Sequence, residues 1–106
     1  MNHFSTIQAA LAPAGLDAVF LTCRANRFYA AGFDSYDTDG ACLVTPEHVF
    51  YWTDGRYIEA AERAISGAEV GLSDRAHPYE SLAADAVKRF GIRRLGFDDG
   101  AMTVAD

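Results

Sequence analysis

The chain has 106 residues, of which half are hydrophobic and 23% charged, and its formal net charge is −6 at pH 7. This composition is typical of one folded domain, because it is too apolar for a disordered chain and too short for two hydrophobic cores. Scattered basic residues and the lack of an apolar run of roughly 20 residues make nucleic acid and membrane unexpected partners.

The start of the chain predicts a helix followed by a buried strand. Apolar residues recur at helical spacing at Phe4, Ile7 and Leu11. Gly15 follows at the position where a glycine commonly ends a helix. Residues 17–22 then form a short apolar run, which is typical of a strand covered on both faces.

A long connection and a hairpin are predicted next. Residues 23–40 are many for a connection in a compact domain, so we expect a helical turn over residues 26–31, a functional loop, or both. Residues 41–45 and 48–53 are rich in β-forming residues and are separated by two turn residues. This spacing predicts an antiparallel hairpin.

The second half of the chain alternates helix and strand. One helix is predicted to end near Gly67, and its expected apolar face consists of Tyr57, Ala60, Ala61, Ala64 and Ile65. A strand over residues 69–73 comes next, followed by a helix that begins at Pro78 and stops at Gly91. The apolar face of that helix is Tyr79, Leu82, Ala83, Ala86, Val87 and Phe90. Residues 94–98 are predicted to form a fifth strand. Residues 102–106 are predicted to form the first turn of a helix that the chain does not complete.

This order of elements predicts a three-layer α/β domain with a mixed five-stranded sheet. Strands that alternate with helices pair in parallel through right-handed crossovers, and the hairpin adds one antiparallel strand. Along the second hairpin strand, Phe50 and Trp52 share one face while Val49 and Tyr51 share the other. Both faces are apolar, so we expect helices on both sides of this strand.

Residues that commonly ligate metals or act as nucleophiles do not form recognisable motifs. The histidines are His3, His48 and His77, and none is spaced to pair with another on a helix face. Cys23 and Cys42 are too few for a disulfide framework, so we expect free thiols from a reducing cytoplasm; the alternative is one bridge between them. No serine lies in a G-x-S-x-G motif, and no phosphate-binding P-loop occurs.

An acidic segment, residues 34–39, precedes the first hairpin strand and contains Asp34, Asp37 and Asp39. A calcium loop that places Gly40 at its sixth position would put a proline where a bidentate glutamate is required, and a strand follows where a helix is needed. The remaining interpretations are a solvated acidic loop or a substrate-facing lid that also carries Tyr36.

A second polar motif, Asp54-Gly55-Arg56-Tyr57, lies between a predicted strand and a predicted helix. An aspartate at this position is expected to cap the helix N-terminus, and Gly55 permits a sharp change of direction. Capping does not explain the Arg-Tyr pair, which leaves a packing or interface role for these two residues.

Two stretches together resemble a known family. Residues 26–33 read Asn-Arg-Phe-Tyr-Ala-Ala-Gly-Phe, and residues 51–57 read Tyr-Trp-Thr-Asp-Gly-Arg-Tyr. In this order and spacing they resemble the N-terminal domain of the creatinase/prolidase family, whose members typically read Asn-x-x-Tyr-Leu-Thr-Gly-Phe and Thr-Asp-Gly-Arg-Tyr. The family includes Xaa-Pro aminopeptidases and Xaa-Pro dipeptidases. The residues that carry the resemblance are Asn26, Tyr29, Gly32, Phe33, Asp54, Gly55, Arg56 and Tyr57, and we expect structural roles for them.

The resemblance spans essentially the whole chain and implies a ribonuclease H-like three-layer fold whose final helix is truncated here. It implies a non-catalytic domain of a longer cytoplasmic Xaa-Pro metallopeptidase, with two divalent ions (Mn, Co or Zn) in a following catalytic domain. It also implies a homodimer in which this domain covers the partner's active site and limits the length of a proline-containing peptide substrate. Asp34, Tyr36 and Asp37 are the residues best placed to face that substrate.

Two alternatives share the same domain. One is a creatinase-like amidinohydrolase that acts on a small molecule, and the other is a catalytically inactive relative that binds proteins. Sequence beyond residue 106 would distinguish the peptidase from these two alternatives. A full set of metal ligands there indicates a peptidase, and the absence of such a set indicates a binding module. A histidine-based site without metal ligands indicates creatinase-like chemistry.

Overall fold

A computed structural model of the chain describes residues 3–22, 24–33, 40–74, 76 and 78–97. The elements are α1 (Phe4–Ala14), β1 (Ala18–Leu21), α2 (Arg24–Ala31), β2 (Gly40–Val44), β3 (Val49–Thr53), α3 (Ile58–Ala64), β4 (Glu69–Leu72), α4 (Tyr79–Phe90) and β5 (Leu95–Phe97). The predicted order is confirmed, and the helical turn expected over residues 26–31 is a full helix. Of the described helices, none is long and apolar enough to cross a membrane. The predicted helix over residues 102–106 lies outside the described residues, as do Cys23 and His77.

Two glycines end helices as their positions predicted. Gly15 and Gly91 have φ of 75° and 64°, in the left-handed region that favours glycine. After α1, the N–H of Leu16 donates to the carbonyl of Leu11 at 2.9 Å. This bond satisfies a carbonyl that the end of the helix would otherwise leave free.

The five strands form one sheet in the order β4-β3-β2-β1-β5. β1 pairs in parallel with β5 and β3 with β4, while β2 is antiparallel to both of its neighbours. The hairpin therefore supplies the one antiparallel strand, as predicted. The carboxyl ends of the other four strands meet at one edge of the sheet, where β2 begins.

Helices cover both faces of the sheet and enclose two hydrophobic clusters. The cluster under α1, α2 and α3 contains Phe4, Leu11, Leu21, Ala30, Ala31, Cys42, Val44, Val49, Tyr51, Ala61 and Ile65. The cluster under α4 contains Ala18, Phe20, Ala41, Leu43, Phe50, Trp52, Ala83, Ala86, Ile92 and Leu95. Trp52 is only 7% exposed. The alternation of β3 between two covered faces is confirmed, and with it the three-layer arrangement.

The predicted apolar face of α3 is only partly correct. Ala61 and Ile65 are buried, whereas Ala60 and Ala64 are exposed and Tyr57 is half-buried. The helix has seven residues and packs near the edge strand β4. Only Ala61 and Ile65, which are four residues apart, therefore reach the sheet. Alanine at the flanking positions is too short to extend that contact.

Asp17 joins the beginnings of β1 and β5. One of its carboxylate oxygens, Oδ2, accepts the backbone N–H groups of Arg93 and Arg94, each at 2.9 Å. These two hydrogen bonds are the main reason that the pKa of Asp17 is lowered, with a smaller contribution from the arginine charges. The carboxylate thus fixes the start of the parallel pair.

We expect Asp17→Asn to destabilise the chain more at neutral pH than in acid. A carboxyl with a lowered folded-state pKa contributes stability above its unfolded-state pKa of about 4, and that contribution disappears as the pH falls through the folded-state value. Urea unfolding between about pH 2 and pH 7 measures the difference. Arg93→Ala is the control: it retains the backbone N–H, so most of the pH dependence should persist. A stability difference between the parent chain and the D17N variant that stays constant into acid would contradict this account.

Candidate functional site

The two family-like motifs meet at the edge of the sheet where β1 and β3 end and β2 begins. The first motif lies on α2, directly after β1, and the second directly follows β3. Gly40, the first residue of β2, is paired with Thr53, the last residue of β3. We call this region, defined by Thr22, Arg27, Gly40, Thr53 and Asp54, the carboxyl edge.

The acidic segment connects Phe33 to Gly40 at this edge. Residues 34–39 lie outside the described residues, so the predicted substrate-facing residues Asp34, Tyr36 and Asp37 do as well. What the structure describes is how the flanking residues are held.

In the first motif, Tyr29 is 48% exposed and stacks on His3, with ring centroids 4.1 Å apart and an angle of 5° between the planes. The Nδ1 atom of His3 lies 2.7 Å from the carbonyl oxygen of Tyr29, and the N–H of His3 donates to the carbonyl of Ala30. Asn26 and Phe28 are also exposed on this helix. His3 therefore ties the chain start to α2, a role that its isolated position in the sequence did not reveal.

The end of the first motif anchors the chain before the acidic segment. The N–H of Gly32 donates to the carbonyl of Phe28 at 2.8 Å and ends α2. Phe33 is half-buried and packs edge-on against Tyr51, with centroids 6.1 Å apart. Both contacts fix the backbone where the chain leaves α2.

In the second motif, Asp54 does not cap α3, and the capping prediction is wrong. The helix begins at Ile58, and no side chain caps it. Instead, one oxygen of Asp54 accepts the N–H of Arg56 at 3.0 Å, and the other accepts the Arg56 guanidinium at 2.6 and 3.1 Å. Three residues separate Asp54 from the helix, so its carboxylate turns back to Arg56 and explains why arginine follows.

Arg56 and Gly55 lie at the solvent side of this turn. The Arg56 side chain is 63% exposed, and its guanidinium carbon is 5.6 Å from the centre of the Tyr57 ring. An exposed ion pair of this kind stabilises a protein by at most about 1 kcal/mol. The second motif therefore sets the path of the chain after β3 more than it adds stability.

A buried arginine at the carboxyl edge escaped the sequence analysis. Arg27 is 4% exposed, and its Nε donates to the carbonyl of Thr22 at 3.0 Å. Its neighbours on the buried face of α2 are Ala30 and Ala31, which occupy the i+3 and i+4 positions. Two small residues at this spacing leave room for the arginine side chain, but the sequence alone does not place an arginine there.

Gly40 lies directly against the Arg27 guanidinium. A Cβ atom at residue 40 would collide with Nη1 of Arg27 and would lie 3.3 Å from the hydroxyl oxygen of Tyr51. The absence of a side chain at this position is therefore what allows the three residues to approach one another.

The thiol of Cys42 belongs to the same buried region. Burial raises the pKa of Cys42 to about 12, although the nearby charge of Arg27 acts in the opposite direction. The thiol is therefore protonated at neutral pH, and a protonated thiol is a poor nucleophile.

In the ranges that the structure describes, no group of three or more His, Cys, Asp or Glu side chains is arranged to hold a metal ion.

A cavity of about 440 Å³ lies at the opposite end of the strands, next to Asp17, His48 and Phe90. Its Asp17 carboxylate is already bound by backbone N–H groups. The carboxyl edge, where both motifs meet, is the better candidate site.

Comparison with known proteins identifies the family. The Creatinase/Prolidase N-terminal domain model matches residues 4–106. The chain belongs to this family. An uncharacterized peptidase, YqhT, of Bacillus subtilis (strain 168) is 32% identical over 89 residues, which is 84% of this chain and 24% of that protein.

Solved structures agree with this assignment. The Xaa-Pro dipeptidase from Bacillus anthracis is 31% identical, with a TM-score of 0.79 over 94% of this chain and 27% of that one. The N-terminal domain of the cytoplasmic peptidase PepQ from Mycobacterium tuberculosis H37Rv is 32% identical, with a TM-score of 0.78 over 96% of this chain and 76% of that one. The chain therefore spans about a quarter of the longer relatives.

We expect Gly40→Ala to destabilise the chain by about 1–3 kcal/mol, the usual cost of overfilling a packed site. The new methyl group must displace the buried Arg27 guanidinium. Gly55→Ala is the matched control, because nothing lies within 4 Å of its added Cβ and its φ is not positive. It should change the free energy of unfolding by less than about 0.5 kcal/mol. Urea denaturation of both variants measures the difference, and equal effects would contradict the described packing.

Proposed function

We propose that this chain is the non-catalytic N-terminal domain of a cytoplasmic Xaa-Pro aminopeptidase or dipeptidase. The observation that carries the proposal is its similarity, over 94% of its length, to 27% of an Xaa-Pro dipeptidase. Similarity to a domain of a cytoplasmic peptidase supports the same activity class and location. The longer protein then carries the catalytic machinery in a further domain.

In this proposal two divalent ions (Mn, Co or Zn) are held by that further domain. Among the described residues of this chain, no group of three or more His, Cys, Asp or Glu side chains is arranged to hold such an ion. The chain's own contribution is therefore positional. It supplies a rigid sheet whose carboxyl edge borders the site where a proline-containing peptide is cleaved.

We further propose that the domain contributes to a homodimer and covers the partner's active site with the acidic segment, through Asp34, Tyr36 and Asp37. Two described anchors support this role. Phe33 packs on Tyr51 before the segment, and Gly40 is paired with Thr53 after it. Charged side chains on a short segment between two fixed ends are suited to contact a substrate, since the ends limit the freedom that binding would otherwise remove.

We expect the 106-residue chain alone to bind no divalent metal ion tightly and to hydrolyse no Xaa-Pro peptide. Tight binding requires several oxygen or nitrogen ligands that are already held around the ion, and scattered loop carboxylates do not provide them. Calorimetric titration with Mn²⁺, Co²⁺, Zn²⁺ and Ca²⁺ is the measurement. A stoichiometric site with submicromolar affinity would contradict the proposal and restore the calcium-loop interpretation of the acidic segment.

Replacing residues 34–39 by a Gly/Ser linker in the longer protein should lower kcat/KM for short proline peptides about 10- to 100-fold. This corresponds to about 1.4–2.7 kcal/mol of lost transition-state binding, which one or two charge-assisted hydrogen bonds can supply. Folding and metal content should not change, because the segment supplies no metal ligand in this proposal. Glu47→Ser in the exposed β2–β3 turn is the control and should retain full activity. Unchanged kinetics in the linker variant would indicate a solvated loop.

Mixed dimers test whether the contact is made between subunits. A subunit with the Gly/Ser linker and an intact metal site should regain activity when paired with a subunit that has an intact segment and a disabled metal site. Failure of rescue in confirmed heterodimers would exclude a contact in trans. If the intact longer protein cleaves no Xaa-Pro peptide, its hydrolysis of creatine distinguishes a creatinase-like enzyme from an inactive binding protein.

A further inference from the structure

We propose that two exposed aromatic side chains of α2, Phe28 and Tyr29, form the surface on which the further domain of the same polypeptide docks. We call these two residues, together with His3, the aromatic face. The inference rests on the proposed function, because it requires a domain that follows residue 106. It adds to that function the surface through which the two domains are held together.

The first observation is that α2 has a second apolar face, which the core does not use. Of the large hydrophobic side chains that the structure describes, three are exposed: Phe28 at 54%, and Tyr29 and Leu72 at 48% each. Two of these three are consecutive residues of one short helix. The same helix packs into the core through Ala30 and Ala31. The two exposed rings are therefore available for a contact outside this domain.

The second observation is that part of this face is already ordered. The ring of His3 stacks on the ring of Tyr29 with centroids 4.1 Å apart, and the backbone N–H of His3 donates to the carbonyl of Ala30 at 2.9 Å. The Tyr29 ring is therefore held in place although about half of it is exposed. A side chain that is fixed before binding loses less conformational freedom when a partner docks on it.

The third observation is the lack of charge on the neighbouring helix α1, which packs beside α2. Residues 1–16 contain no Asp, Glu, Lys or Arg, although 23% of the whole chain is charged. The cores of protein interfaces are depleted of charged residues and enriched in Phe and Tyr. The occupant that suits this surface is therefore a folded domain with an apolar patch, which also offers an acceptor for the Tyr29 hydroxyl.

The size of the aromatic face favours a tethered domain over a second copy of the chain. A Phe or Tyr side chain buries roughly 150–250 Å², so two rings that are about half exposed offer roughly 200 Å². A stable complex of separate molecules usually buries about 800 Å² on each partner. A domain in the same polypeptide needs less area, because a short tether gives it an effective concentration on the order of millimolar.

The path of the chain supports the same occupant. β5 runs parallel to β1, and Phe97, the last described residue, is paired with Phe20. β1 ends one residue later, at Leu21, and leads into α2. Neighbouring strands lie about 4.8 Å apart, so the chain leaves β5 next to the strand that leads into α2. A domain that follows residue 106 therefore continues from the edge of the sheet at which α2 begins.

Photo-cross-linking in the longer protein tests the contact directly. Replacement of Phe28 by photoreactive p-benzoylphenylalanine retains an aromatic ring, and irradiation should join residue 28 to a peptide from beyond residue 106 within one polypeptide. The same replacement of the exposed Glu47, in the turn at the opposite end of the strands, is the control and should give no such product. A product of the size of two polypeptides, or no cross-link from residue 28, would overturn the proposal.

Hydrogen exchange provides a second measurement that does not depend on activity. The α2 amides should exchange about tenfold more slowly in the longer protein than in the 106-residue chain, and Phe28→Ser should remove most of this difference. In the 106-residue chain, the same substitution should change the folding equilibrium constant by less than about twofold, because the side chain is exposed. Leu72→Ser is the matched control: its side chain is similarly exposed on the edge strand β4, and it should leave the exchange of α2 unchanged.

The outcomes separate this inference from the proposed function. Equal exchange rates of α2 in both proteins would reject the aromatic face even if the longer protein cleaves Xaa-Pro peptides. Slow exchange that depends on Phe28, in a longer protein that cleaves no Xaa-Pro peptide, would support the aromatic face and reject the proposed function.

Discussion

Burial of both faces of the hairpin strands β2 and β3 is the constraint on which the rest of the structure depends. All five residues of each strand are buried, so side chains on either face need a cover. A central antiparallel pair buried on both faces requires helices on both sides, and α1, α2 and α3 cover one face while α4 covers the other. The three-layer architecture follows from the apolar character of these two strands.

The register of the hairpin also fixes the position of the two polar motifs. Phe50 and Trp52 stack in parallel at 5.6 Å under α4, and burial of each ring contributes roughly 1.5–3 kcal/mol. With this register fixed, Gly40 must lie opposite Thr53, and the two family motifs are brought to one edge of the sheet. A shift by one residue would exchange the two faces of β3. The register that packs the core is therefore also the register that places the candidate site.

At the carboxyl edge, side-chain contacts hold the backbone on both sides of the strand ends. Phe33 is held by Tyr51 and Asp54 by Arg56, while Arg27 is enclosed beside Gly40. A domain built in this way is suited to position a segment against another surface, which is the role proposed for it in a longer peptidase.

Sequence by itself determined the order of the elements, the hairpin, the ends of α1 and α4, and the membership of the family. These features depend on local patterns: a run of β-forming residues at Val49–Thr53, helical spacing in α4, and glycines at Gly15 and Gly91 where the backbone turns left-handed. Tertiary structure alone decided that Asp54 binds Arg56 instead of capping α3, that only Ala61 and Ile65 of the predicted α3 face are buried, and that Arg27 lies inside. Each of these outcomes depends on which atoms meet across strands distant in sequence, and a pattern read along one segment holds no information about the space left by another.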